Sequence, residues 1–200
     1  MSLNRRIEED AVTTSGIATS KGTILKSLVK FLEQELTREQ FDAAVATLSP
    51  DDATLVRGKV IPSLAIPEAM LNRLTEAGAK AKGEDLDTFG RRAGLTELAD
   101  SVGMYRVFLM ALTPPSLIAK VGTFWSSIHN TGKLVILDQS KTHVRFQLKD
   151  FPSEKAHCAR LTGWCQGLAE MTKVKNVKIA HDVCMTRGAA HCEWDLRWDD

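Results

Sequence analysis

Apolar residues recur at helical spacing through the first two-thirds of the chain. From Gly22, Leu25, Leu28, Val29, Leu32 and Leu36 keep to one helical face. Thr37 opens a second helix, with Gln40 completing a capping box and Phe41, Ala44, Val45 and Leu48 as the inward stripe. Ser49-Pro50-Asp51-Asp52 combines a hydroxyl cap, a first-turn proline and acids at the positive end of the helix dipole, so a third helix starts there. Pro62 and Pro67 bracket a short extended segment. Met70, Leu71, Leu74 and Ala77 mark a helix from about Pro67 to Lys80, and Leu86, Phe89, Ala93 and Leu98 a weaker one over 83–100. The run from Met104 to Leu112, apolar apart from Arg106, predicts a buried helix. Thr113-Pro114-Pro115-Ser116 breaks it and starts another carrying Leu117, Val121, Phe124, Trp125 and Ile128, which Asn130-Thr131-Gly132 stops.

The period then changes. Lys133–Asp138 predicts a strand. Beyond the turn DQSK, Val144, Phe146 and Leu148 alternate with His143, Arg145, Gln147 and Lys149, which makes a hairpin. Helical spacing returns from Ser153 to Met171, with Cys158, Leu161, Trp164, Cys165 and Leu168 as the stripe. Asn176–Cys184 and Cys192–Trp198 form a second hairpin, with Cys192, Trp194, Leu196 and Trp198 sharing a face. Helices followed by hairpins predict an α+β fold, a helical N-terminal two-thirds packed on an antiparallel sheet built from two hairpins. Residues 1–21 read as a polar arm, disordered or docked as an added strand, and 22–200 as a single domain.

Composition narrows the function classes. Lys and Arg number 26 against 25 Asp and Glu, a formal net charge of +1, which argues against a nucleic-acid binder working by bulk charge. No window is apolar for long enough to span a membrane, and the first residues lack the apolar core of a signal peptide, so the expectation is a cytoplasmic protein with reduced cysteines. Rossmann, P-loop, zinc-protease and nucleophile-elbow signatures are absent, and the expectation is a non-enzyme. Arg91-Arg92 reads as a solvated helix face.

The cysteines carry the strongest chemical signal. Cys158 lies on a helix, His181 and Cys184 are three apart, and Cys192 opens the last strand. Three sulfurs and an imidazole suit a closed, tetrahedral, structural zinc site. Buried free thiols and a Cys184–Cys192 disulfide are the alternatives. A regular strand points His181 and Cys184 to opposite faces, so a shared metal requires the strand to bend or end between them. His157 and His191 adjoin ligand cysteines and are substitutes for His181. Cys165 reads as packing.

The stretch CARLTGWCQGLAEM, then VKIAHDVCMTRGAAHCEWDLRW, resembles the 4-vinyl reductase domain, through Gly163, Trp164 and Gly167 on the helix and Cys184, Gly188 and Cys192 on the hairpin. That family includes the sensory domains of phenol-responsive transcription activators. Its fold is shared with the TRAPP vesicle-tethering subunits and related to the haem nitric-oxide sensors. The resemblance covers about the last 50 residues and implies zinc held by Cys158, Cys184 and Cys192, with His181 where the phenol sensors place a Glu. It also implies a homodimer and a small hydrophobic or aromatic ligand. With no output domain in these 200 residues, a sensor's signal is expected to pass through a protein partner or through oligomerisation.

Candidate pocket residues are Tyr105, Phe108, Phe124, Trp125 and His129, aromatics with a few polar tips, although such stripes also build plain cores. A helix-end role capping carbonyls is a second reading of His129. Haem is not expected, because the Tyr-x-Ser-x-Arg motif of the haem sensors is missing. The leading expectation is a small-molecule-binding or sensory module with structural zinc. The alternatives are a dimeric interaction module like the TRAPP subunits and a reductase-type enzyme. An enclosed apolar cavity of a few hundred Å³ would favour the small-molecule-binding module, and a closed interior the interaction module.

Overall fold

The computed structural model describes residues 16–103, 112–113, 116–117 and 120–199. Tyr105, Phe108 and most of the expected helix over 104–112 lie outside those residues.

Local chemistry sets the helix ends. After strand β1 (Thr19–Lys21) come α1 (Gly22–Glu35), α2 (Arg38–Val45) and α3 (Pro50–Arg57). Thr37 and Gln40 form the reciprocal capping box at α2, and Ser49 accepts from the Asp52 backbone N–H at α3. Strand β2 (Ala65–Pro67) pairs antiparallel with β1 and leads into α4 (Glu68–Lys82), which ends at Gly83 in the left-handed region. Helix α5 (Leu86–Val102) is capped by Asp85, and α6 (Val121–Ile128) ends at His129. The buried faces of α1 to α5 close one hydrophobic core around Leu25, Leu28, Leu71, Leu74 and Phe89.

Strands β3 (Lys133–Gln139), β4 (His143–Lys149), β5 (Lys175–Val183) and β6 (Cys192–Asp199) make one antiparallel sheet in the order β3-β4-β6-β5, with α7 (Lys155–Glu170) between the hairpins in sequence. The alternation read from sequence is the register observed: Val144 faces Leu196, Phe146 faces Trp194 and Leu148 faces Cys192. These residues, with α6 and α7, form a second core. The α+β architecture is as expected. Among the described residues, no helix is long and apolar enough to cross a membrane.

Helices α5 and α7 touch backbone to backbone. A Cβ on Gly94 would lie 1.9 Å from the Arg160 carbonyl oxygen, and one on Gly163 would lie 1.9 Å from the Arg91 carbonyl oxygen. Gly90 meets the Ala159 Cβ at 2.6 Å in the same way. The glycines that mark the helix in sequence are therefore there for close approach. Arg91-Arg92 divides: Arg91 pairs with Asp87 on the surface, whereas the half-buried Arg92 bridges Glu35 and Glu84 beside the Phe31 and Phe89 rings.

Because the obstruction is backbone and cannot rotate away, Gly94→Ala and Gly163→Ala should each destabilise by about 3 kcal/mol, the upper end for overpacking. Gly16→Ala, with nothing within 4 Å of the added Cβ, should leave thermal unfolding unchanged. Calorimetry of the three variants checks both.

Candidate functional site

Helix α7 presents chemistry on two sides. On its sheet side, Cys158 faces the end of the β5–β6 hairpin. There the β5 register slips between Ala180 and Val183, the strand stops at Val183, and Cys184 begins a 3-10 turn over Met185–Arg187. The slip breaks the two-residue alternation, so His181 and Cys184 converge. Arg187 locks the bend by donating to the carbonyls of His181 and Asp182, and Gly188, at φ 89°, carries the chain back in the left-handed region.

The donor atoms of Cys158, His181, Cys184 and Cys192 all lie within 4.8 Å of one another. The sulfur separations are 3.7 Å (Cys158–Cys192), 3.8 Å (Cys184–Cys192) and 4.0 Å (Cys158–Cys184). Thiolates at about 2.3 Å from a tetrahedral zinc sit roughly 3.8 Å from each other. A disulfide needs about 2.05 Å, and all four cysteines are free. The Met185 N–H donates to the Cys192 sulfur, and the buried Nε2 of His181, whose ring stacks on Trp194, has no hydrogen-bond partner. Donation from Cys158 draws the Cys192 thiol well below its ordinary range, while that same shared hydrogen, with burial, pushes Cys158 up. A cation at the centre would favour the ionised sulfurs and take the free imidazole nitrogen. Neither sequence substitute joins the cluster: His191 bonds Glu193, and His157 faces the other side of α7. Cys165 is buried in the core apart from the cluster, and desolvation raises its thiol pKa.

On the helical side of α7, Arg160 is 3% exposed and donates to Glu97 at 2.9 Å, to Glu68 and to Asn72. Glu68 also accepts from Ser20, whose hydroxyl lies 2.9 Å from His129 Nδ1. The serine has one proton and gives it to the carboxylate, so His129 is the donor in the second bond. Serine here bridges an acid and a histidine, which is not the order of a nucleophile relay. Burial would raise the Glu68 carboxyl, but Arg160 and the neighbouring donors hold it at about 2. Burial outweighs Arg160 at Glu97 and raises that carboxyl. Burial depresses His129 to about 3 and His157 to about 4, so both are neutral.

This network edges a cavity of about 40 Å³ between the two cores. Of the expected pocket residues, Phe124, Trp125 and His129 line it together with His157, Arg160 and Trp164. His129 caps no carbonyl through its ring; it bonds Ser20 and stacks on Trp125 at 3.9 Å. The cavity is far smaller than the few hundred Å³ expected of a pocket for a drug-sized ligand. Sequence reading missed Ser20, Glu68, Glu97 and Arg160. The available signal was Arg160, a charge set among the buried positions Ala156–Gly163.

No protein-family model matches the sequence, and no curated protein matches it. Solved structures do match the fold. An H-NOX protein from K. algicida superposes with a TM-score of 0.71 at 12% identity, covering 90% of this chain and 97% of that one. An H-NOX protein from S. oneidensis, described in its Fe(II)NO ligation state, gives 0.71 at 14% identity, covering 90% and 99%. An oxygen-binding H-NOX domain related to soluble guanylate cyclases gives 0.66 at 11%, covering 90% and 95%. At these identities the likeness is one of fold, that of the nitric-oxide-sensor relatives expected from sequence.

Removing Arg160 would leave two carboxylates buried without a cation. Arg160→Met should destabilise by about 3–5 kcal/mol, and adding Glu68→Gln and Glu97→Gln should recover much of the loss. The unfolded chain protonates His129 near pH 6.5 and the folded chain only near 3. Stability should therefore fall as pH drops through that window, by up to about 1.4 kcal/mol per pH unit from this residue. His129→Gln should flatten the slope in urea titrations at a series of pH values.

Proposed function

We propose that this chain is a non-enzymatic, cytoplasmic small-molecule-sensing module with a structural zinc ion pinning its C-terminal hairpin to α7. The observation that carries the zinc is the spacing of the three sulfurs around the unpartnered His181 nitrogen. With four protein ligands and no open position, the ion would hold structure and leave water unactivated. The sequence resemblance to the 4-vinyl reductase domain supports the same residues. Free thiols at these distances fit a reducing compartment.

The sensing part rests on the H-NOX-like fold and on the cavity between the cores. Buried Arg160 Nε and His157 Nδ1 lack partners beside that cavity. A water-sized group needs about 10–15 Å³, so about 40 Å³ takes a ligand of only a few heavy atoms. Haem, which the neighbouring structures make the natural candidate, does not fit this packing. A macrocycle needs several hundred Å³, and the His129 ring is covered by Trp125 at 3.9 Å and held by Ser20. The cavity's small size gives weight to a second reading, an interaction module that dimerises or engages a partner through its surface.

Metal analysis of protein purified without added metal should find about one zinc per chain; substantially less would overturn the zinc reading. Cys184→Ser should lower stability by several kcal/mol on the scale of structural zinc sites. Thermal-shift screening separates the two functional readings, since a ligand that binds only the folded state raises the melting temperature. Sensing predicts shifts with small polar molecules and none with tetrapyrroles. An interaction module predicts none with either.

A further inference from the structure

The near-zero net charge conceals a local imbalance. On the outer side of the helical half, α1, α2, the end of α3 and the loop to Pro62 enclose an open groove of about 640 Å³. Lys26, Lys30, Arg38, Arg57 and Lys59 line it, with Glu33 as its only acid among the described residues. Lys30 is paired with Asp100, and Arg38 and Arg57 share Asp42. Lys26 and Lys59 are exposed and have no ion pair among the described residues. The floor is apolar, made by Val29, Phe41, Val56 and Val60. Ile61, 59% exposed, lies in the chain between the lining residues Val60 and Pro62.

We propose that this groove is a protein-docking surface whose occupant is an acidic segment of a partner protein bearing apolar side chains. Charge complementarity selects the acid, and the apolar floor with the exposed Ile61 selects the hydrophobic component. A single-stranded nucleic acid would need stacking platforms, and the one aromatic side chain lining the groove, Phe41, is 6% exposed. A flat anionic membrane does not enter a concave groove, so its apolar floor would stay uncovered. Arg38 and Arg57 already share the Asp42 carboxylate, whereas Lys26 and Lys59 have no ion pair among the described residues and can meet new carboxylates. The surface lies apart from both the cysteine cluster and the inner cavity, so it stands whether or not the cavity takes a ligand.

The test is selection of a displayed library of random short peptides on the full chain. Enriched peptides should combine Asp or Glu with Leu, Ile or Phe. Their synthetic versions should lose about tenfold in affinity against Lys26→Glu/Lys59→Glu, the size expected when charge pairs are reversed. Both positions are exposed, and circular dichroism should show that variant folded as the wild type. Glu35→Gln, a charge change outside the groove, should leave affinity unchanged. No enrichment, enrichment of peptides without acids, or equal binding by the double variant would overturn the proposal. So would tighter binding to DNA or to phosphatidylserine vesicles that the same two substitutions abolish.

Discussion

Where α5 crosses α7, the Arg160 carbonyl sits so close to Gly94 that no Cβ fits between them, and Gly163 meets Arg91 in the same way. Two helices at backbone contact have almost no freedom to slide. Arg160 is therefore delivered to a fixed height, where its guanidinium spans Glu97 on α5 and Glu68 at the start of α4. Ser20 on β1 joins through Glu68, and His129 joins through Ser20. Asn130 closes the ring of contacts by bonding both Ile17 and Thr19. The first strand, the last helix of the helical half and the end of α6 are thus tied to α7 by directional bonds. A buried ion pair adds little net stability over apolar packing, but it is costly to break, and the cost enforces one arrangement.

Much of the architecture could be read locally. Caps at Thr37 and Ser49 and the alternation along β4 and β6 depend on residues within a few positions of one another, whereas Gly83, read as the start of a helix, is the left-handed cap that ends α4. The cysteine cluster was legible in part. Its residue types announced metal chemistry, but strand periodicity argued against His181 and Cys184 sharing a centre. That argument fails at the register slip, which Arg187 and Gly188 support from outside the strand. The Arg160 network was not legible. Its directly bonded members lie up to 109 residues apart, and only Arg160, a charge amid the buried positions of α7, stands out in its own element. Only the closeness of α5 and α7 makes them one site, and closeness is a tertiary fact that glycine spacing hints at without naming the partner helix.

Helix α7 is the shared wall of both candidate centres. His157 and Arg160 lie three apart and point to the cavity, whereas Cys158 points to the hairpin. One turn of helix thus joins the cysteine cluster to the buried charges. The glycine contacts hold α7 against α5 at backbone distance, so a turn of α7 about its axis would carry Arg160 with it. Rotation is what the charge network would register, because hydrogen bonds weaken steeply with angle while apolar contacts do not. The inner cavity is small enough that even a slight turn of His157 or Arg160 would change its shape. The inner cavity and the cysteine cluster therefore share one wall, with Cys158 lying between His157 and Arg160 within about one turn of α7.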